Sequence, residues 1–230
     1  MTPIERLWMV MIKPWAIIIC ILFLMFSYHY LDKPIANYFY SVDLISKIPV
    51  LNWITKLGLG QLYYIPLFLI ALFFRYIVHN KKLEMRAWFL WLCVAIPSFF
   101  CLVFKMILGR ARPYYWLHDD LFGFYWFKFQ APYWSFPSGH TSTVMGFVIG
   151  LTLLMPNHSL LFLLLGAGLA LTRVLLFYHY ITDVLVAMVL AFYEIGLLIY
   201  WLREHNKLIF SASKPMSHDK KDLYLWQNNV

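Results

Sequence analysis

A histidine and an aspartate, His179 and Asp183, stand four residues apart at the start of an apolar run. On a helix this spacing puts both side chains on one face, where the carboxylate can accept a hydrogen bond from one ring nitrogen. That bond would set the tautomer and leave the other ring nitrogen free to act as a nucleophile. A second histidine, His140, could then protonate a leaving oxygen as a general acid.

Three cationic side chains, Lys105, Arg112 and Arg173, lie near the ends of apolar runs. Each alone is compatible with a cation that reaches from a membrane helix to the interface. Together with two imidazoles and one carboxylate they would be costly to bury without an anionic partner. The set predicts a site for a tetrahedral oxyanion such as phosphate, and the three cations would supply charge stabilisation without a metal or cofactor.

The stretch SFPSGHTST places Pro137, Ser138 and Gly139 directly before a long apolar run. Proline suits the first residues of a helix, and helix N-termini bind phosphate through free backbone N–H groups. Ser138 offers a hydroxyl group, while Gly139 allows its own N–H to approach an anion closely. The pattern predicts an anion-binding helix start that carries His140.

Composition identifies the elements that position these residues. The chain is 62% hydrophobic and only 13% charged, whereas soluble domains carry about 25% charged residues. A hydrocarbon core of ~30 Å needs roughly 20 apolar residues per helix, and six such runs are present: 14–31, 60–79, 87–107, 139–156, 159–177 and 180–202. We predict an all-α polytopic membrane protein, a single domain over 1–230 with a six-helix transmembrane bundle and a tail at 203–230.

The distribution of lysine and arginine predicts the orientation of the bundle, because positive residues in short loops favour the cytoplasmic side. Both termini are expected to be cytoplasmic, with the candidate site at the outer end of the bundle. The net charge of +8 does not indicate a nucleic-acid partner, since the charges are divided across the membrane. The aromatic loop 113–136 is expected at the outer interface, where it anchors the protein or lines a lipid entrance.

Three motifs in this region resemble those of the type 2 phosphatidic acid phosphatase (lipid phosphate phosphatase) superfamily. The first is KMILGRARP, from Lys105 to Pro113; the second is PSGH, from Pro137 to His140. The third is TRVLLFYHYITD, from Thr172 to Asp183, in which threonine replaces the usual serine and retains the hydroxyl group. The superfamily also contains bacterial acid phosphatases and vanadium haloperoxidases.

The resemblance implies a phosphohistidine mechanism. His179 would attack phosphorus, His140 would act as general acid and then as base, and Asp183 would orient His179. The phosphoryl oxygens would be held by the set Lys105, Arg112, Ser138, Gly139 and Arg173, with Thr172 and Pro137 in support. The substrate would be a phosphorylated membrane lipid in the bilayer, and the oligomeric state stays open.

Family members of this size act on phosphatidylglycerol phosphate, phosphatidic acid, undecaprenyl pyrophosphate or lipid A 1-phosphate. Arg110 and Lys128 near the site favour a substrate with extra negative charge. A lipid-to-lipid phosphotransferase is the main alternative, while a vanadate peroxidase or a transporter fits less well. Glu194, deep in the last run, is expected to be hydrogen-bonded to another span rather than to contact phosphate.

Overall fold

A computed structural model describes residues 3–205, which form helices and no extended strand. The helices are α1 (Pro3–Met11), α2 (Pro14–Phe26), α3 (Asp32–Val42), α4 (Leu44–Lys47), α5 (Val50–Lys56), α6 (Gln61–Tyr76), α7 (Lys81–Leu108), α8 (Pro113–Asp119), α9 (Gly139–Leu154), α10 (Ser159–Leu175) and α11 (Ile181–Glu204). A π-helical segment, Ser27–Leu31, joins α2 to α3. The predicted tail lies outside the described residues from position 206 onward.

Four helical segments of the described chain are long and apolar enough to cross a membrane: Pro14–Val42, Lys81–Leu108, Pro156–Leu175 and Ile181–Glu204. The pair α5 and α6, bent by 41°, makes a fifth if it is counted as one span. The remaining predicted run, 139–156, corresponds to α9, an apolar helix of 16 residues. The chain is therefore an all-helical, multi-pass membrane protein, and each predicted run coincides with a helix.

The first helical segment is longer than predicted. The apolar run ends near residue 31, but the helix continues through the π-helical segment to Val42. Asp32 does not end the helix because its carboxylate is buried and bonded inside the protein. Between the first two runs the chain forms two short helices, α4 and α5.

Helix α9 lies at the centre of the bundle and packs against α7, α10 and α11. Its contact with α7 is so close that a Cβ atom on Gly146 would lie only 2.2 Å from the Cys93 carbonyl oxygen. Gly150, one turn later, meets the same helix. Small residues four apart allow helix backbones to approach in membranes. This packing fixes the depth and rotation of α9, and with them its N-terminus.

The ends of four helices meet at one end of the bundle: the C-termini of α7 and α10 and the N-termini of α9 and α11. The loop after α7 returns to this end and caps the helix. The N–H groups of Trp126 and Phe127 donate to the carbonyl oxygens of Leu108 and Ile107 over 3.1 and 2.8 Å. The loop thereby satisfies carbonyl groups that a helix C-terminus leaves free.

Candidate active site

His179 lies in the short connection between α10 and α11 and is 3% exposed. Its backbone N–H donates to the Arg173 carbonyl oxygen over 3.2 Å, so the connection folds back onto the end of α10. The ring Nδ1 lies 3.5 Å from Asp183 Oδ2. The two side chains face one another, but not from one helix as predicted, because His179 lies before α11; their separation is longer than an ordinary N–H···O hydrogen bond.

The environment of His179 favours the neutral imidazole. Burial lowers the pKa of His179 to about 3; Asp183 opposes this shift, whereas the cations Lys105 and Arg173 add to it. A neutral ring has a free lone pair at physiological pH, which a nucleophile requires. The same interactions show that two of the predicted phosphate-binding cations lie within electrostatic range of the imidazole.

Asp183, in the first turn of α11, is fully buried and held by several donors. Oδ2 accepts hydrogen bonds from the Ser135 hydroxyl over 2.5 Å and from the Tyr180 N–H over 3.0 Å. Oδ1 accepts a hydrogen bond from Arg110 over 2.5 Å. A carboxylate with donors on both oxygens is fixed in orientation and suited to hold His179 in place.

Arg110 was expected to face a substrate, and the structure shows that this is wrong. Its guanidinium is fully buried and lies between two carboxylates, Asp183 and Asp32, at 2.5 and 2.6 Å. Four aromatic rings surround it at 4.3 to 5.6 Å from their centroids: Tyr28, Phe122, Phe124 and Tyr180. Local sequence could not reveal this, because both carboxylates come from distant parts of the chain.

The start of α9 adjoins the start of α11, which carries Asp183. The Ser138 N–H donates to the Asp183 carbonyl oxygen over 3.1 Å, which ties the two helix N-termini together. A Cβ atom on Gly139 would lie 3.7 Å from Lys105 Cε, so the lysine side chain passes beside the helix start. Pro137 precedes this turn, and its carbonyl oxygen accepts a weak hydrogen bond from the Cys101 thiol.

The three cations are held by different parts of the fold. Lys105 donates to the Trp134 carbonyl oxygen over 2.6 Å, and Arg173 donates to Thr55 Oγ1 over 3.0 Å. Arg112 precedes α8; burial lowers its pKa, and Asp183 opposes that shift from nearby. Within residues 3–205 the buried Nε atoms of Arg112 and Arg173 have no hydrogen-bond partner. Both guanidinium groups retain donors that a phosphate oxygen could accept.

The Thr172 hydroxyl bonds to neighbouring protein groups and not to the three cations. Its Oγ1 lies 2.6 Å from the Leu169 carbonyl oxygen and 3.0 Å from Thr55 Oγ1. Thr55, on α5, thus contacts both Thr172 and Arg173. No sequence motif pointed to Thr55, because its role depends on a contact between distant segments.

His140 opens onto a cavity of about 240 Å³ that Lys105 and Gly139 also line. On the other side of the cavity the backbone of the α5–α6 connection comes very near the imidazole: a Cβ atom on Gly58 would lie 2.9 Å from His140 Cδ2. Gly58 and Gly60 both line the cavity. The absence of side chains at these two positions leaves space beside the His140 imidazole.

Glu194 stands apart from this site, in the second half of α11. Its buried Oε2 atom has no hydrogen-bond partner among the described residues. The expected bond from this oxygen to another span is therefore not seen.

The sequence analysis missed three polar residues around the site: Asp32, Thr55 and Ser135. Of these, only Asp32 carried a usable signal, because it is a carboxylate at the end of an apolar run.

Comparisons of the sequence with known proteins place the chain in a family. Residues 86–207, which contain all three motifs, match the family model described as PAP2 superfamily. Over 100 residues the chain is 33% identical to a protein named lipid A 1-phosphatase from Rhizobium etli and 32% identical to one of the same name from Rhizobium johnstonii. These matches span 44% of this chain and 43% and 41% of the relatives, so less than half of each relative is covered.

No solved structure matches the chain. The family match, by contrast, covers more than half of it and includes the helix ends that carry His140, His179 and Asp183. The chain therefore belongs to the PAP2 superfamily.

Proposed function

We propose that the protein is a lipid phosphatase that hydrolyses a phosphate monoester or pyrophosphate on a lipid headgroup through a phosphohistidine on His179. One observation carries the proposal: a buried, neutral imidazole lies beside a fixed carboxylate and within electrostatic range of the cations. The family membership and the name of the two relatives support a phosphorylated lipid as substrate.

In the first step the free ring nitrogen of His179 attacks phosphorus, and the bond from phosphorus to the leaving oxygen breaks. His140 gives its proton to that oxygen. In the second step water attacks the phosphohistidine while His140 takes the water proton, and inorganic phosphate leaves. Lys105, Arg112 and Arg173 neutralise the phosphoryl oxygens, with Ser138 and the N–H of Gly139, so the reaction needs no metal.

The same proposal includes the membrane arrangement. Six spans, counting α9 and the bent pair α5 and α6, place both termini on the cytoplasmic side of a bacterial inner membrane. The site then faces the periplasm, beside the aromatic loop. Trp126, Phe127 and Phe129 are more than half exposed in this loop, which suits the headgroup level of a bilayer.

The test is phosphate release by the purified protein in detergent micelles with a chelator present. The substrates are phosphatidylglycerol phosphate, phosphatidic acid, undecaprenyl pyrophosphate and lipid A 1-phosphate, the last first because of the relatives' names. We expect metal-independent release that is lost in His179→Ala and kept in His158→Ala, a histidine in the turn before α10. Release that persists in His179→Ala would exclude the phosphohistidine mechanism.

The lipid-to-lipid phosphotransferase shares the first step and differs in the acceptor. A substrate labelled in its phosphate group separates the two reactions. Hydrolysis yields label as free phosphate, whereas transfer yields label on a second lipid. Label that appears only on lipid would replace the hydrolase assignment by the transferase.

A further inference from the structure

Asp32 is a fully buried carboxylate on the first membrane segment, far in sequence from every motif. Its Oδ2 lies 2.6 Å from the Arg110 guanidinium, and its Oδ1 accepts the Thr182 N–H over 2.9 Å. Both partners can only donate hydrogen bonds, so the ionised carboxylate is the form that fits. We call Asp32, Arg110 and Asp183 the charge triplet.

The triplet has two carboxylates and one guanidinium, and it therefore carries one negative charge in excess. Arg110 and Asp183 alone would be neutral. A neutral pair would stabilise a developing positive charge on His179 only weakly, because the two fields oppose one another. With Asp32 on the far side of the guanidinium, the field at His179 is again that of an anion.

The geometry of the triplet also fixes Asp183. One nitrogen of the guanidinium holds Asp183 and the other holds Asp32, so the planar group is oriented from both sides. Asp32 in turn is bonded to the backbone of α11 one residue before Asp183, through Thr182. The first membrane segment is therefore linked twice to the start of α11, where the orienting carboxylate lies.

We propose that Asp32 is a positioning residue for phosphoryl transfer. Acting through Arg110, it keeps Asp183 directed at His179 and supplies the excess negative charge that stabilises the phosphorylated, positively charged imidazole. This inference rests on the proposed function, because it concerns the step in which His179 attacks phosphorus. It assigns to the first helix a part in a reaction whose motifs all lie between Lys105 and Asp183.

The experiment compares Asp32→Asn with wild type in the micelle assay, measuring kcat, KM and the inhibition constant for inorganic phosphate. Ser27→Ala is the matched control, since it removes a buried hydroxyl that bonds Thr182 Oγ1 without changing charge. We expect kcat of Asp32→Asn to fall 10- to 100-fold, while KM and the phosphate inhibition constant stay within twofold because the cations are untouched. Ser27→Ala should keep kcat within twofold of wild type.

Coupling to Asp183 gives a second readout. In an Asp183→Asn background, Asp32→Asn should lower kcat by less than threefold, because the group through which it acts has already been changed. Asp32→Glu retains the charge and should recover part of the lost kcat. If Asp32→Asn does not fold, Arg110→Lys replaces it: a lysine keeps the charge but cannot bridge two carboxylates in one plane, so kcat should again fall at an unchanged phosphate inhibition constant.

Three results overturn the inference. The first is a folded Asp32→Asn, or in its place Arg110→Lys, with kcat within threefold of wild type. The second is a phosphate inhibition constant that rises as much as kcat falls, which indicates general distortion of the site. The third is an undiminished effect in the Asp183→Asn background. Wild-type turnover that survives in His179→Ala would instead remove the proposed function, and this inference with it.

Discussion

Burial makes the imidazole of His179 suitable for its proposed role. In water a histidine titrates near pH 6.5, so part of the nucleophile would be protonated under mildly acidic conditions. In the protein the pKa falls to about 3, chiefly through burial. The lone pair is therefore available over the whole physiological range, and the carboxylate of Asp183 can serve orientation rather than deprotonation.

The lowered pKa has a cost in stability at acid pH. The unfolded chain binds a proton at His179 below about pH 6.5, whereas the folded chain does so only near pH 3, so stability falls between these values by roughly 1.4 kcal/mol per pH unit. We expect the unfolding free energy of wild type, relative to His179→Asn, to drop by about 2 kcal/mol from pH 8 to pH 5. Thermal unfolding in micelles at both pH values measures this, and a difference independent of pH would contradict it.

Thr55 is expected to matter for turnover although it belongs to no motif. Its hydroxyl oxygen accepts a hydrogen bond from Arg173 over 3.0 Å, and a bond of this kind contributes about 1 kcal/mol. We predict that Thr55→Val lowers kcat/KM about fivefold by loosening Arg173. The matched control is Thr152→Val, an equally buried threonine whose hydroxyl bonds only the Ile149 carbonyl in its own helix. Equal losses in both variants would assign the effect to packing.

At the residue scale, short motifs predicted the candidate site where chemistry requires fixed residue types at fixed spacing. The spacing of His179 and Asp183 pointed to the right pair for an incomplete reason: His179 lies before α11, and the side chains meet because the connection folds back onto the end of α10. Asp32 and Ser135 contact the same carboxylate network from 151 and 48 positions before Asp183. Their contacts arise from tertiary structure, which helical spacing does not encode; of the two, only Asp32 carried a signal in the sequence, as a carboxylate at the end of an apolar run.

Among the elements, α9 sets the geometry of the site because it is packed on three sides. Gly146 and Gly150 on α9 allow the backbone of α7 to approach closely. This contact brings Lys105 on α7 beside Gly139 at the start of α9. A change in this helix contact would therefore displace Lys105 and the N-terminus of α9 relative to one another.

A methyl group on Gly146 should disturb this contact. The added Cβ atom would lie 2.2 Å from the Cys93 carbonyl oxygen, so the helices must separate. We expect Gly146→Ala to lower the unfolding free energy by about 1–3 kcal/mol and to reduce turnover. Gly168→Ala is the matched control in α10, because nothing lies within 4 Å of its added Cβ atom, and it should be neutral or stabilising. Similar melting midpoints for the two variants would argue against the packing account.

The helix positions were predictable because a membrane-spanning helix requires a long, continuous run of apolar residues. Four of the six predicted runs coincide with a helix to within three residues, and the other two differ at one boundary each. The first segment continues past its apolar run because Arg110 and Thr182 satisfy the carboxylate of Asp32. Helix α7 begins six residues before the predicted run, because Glu84 in its first turn is buried and paired with Lys81.

For the whole molecule, the proposed orientation can be tested with single cysteines. We expect little labelling of the native cysteines, since Cys93 and Cys101 are buried and Cys20 lies within the first membrane segment. We expect a membrane-impermeant maleimide to label Phe129→Cys from outside intact spheroplasts, because Phe129 is 65% exposed in the aromatic loop. Val78→Cys, between α6 and α7, should be labelled only after the membrane is opened. The reverse pattern would invert the topology.

The charge triplet also has a consequence for how the chain is made. During synthesis Asp32 leaves the ribosome first, Arg110 follows 78 residues later and Asp183 another 73 residues after that. The first helix thus enters the bilayer with an uncompensated acidic group, which costs about 3 kcal/mol at the centre of a span and less near its end. Arg110 follows in the loop after α7 and Asp183 in the last helix, so both ion pairs can form only after these later segments have been made. The buried contacts of Asp32, on the first segment, are therefore complete only when the last helix has joined the bundle.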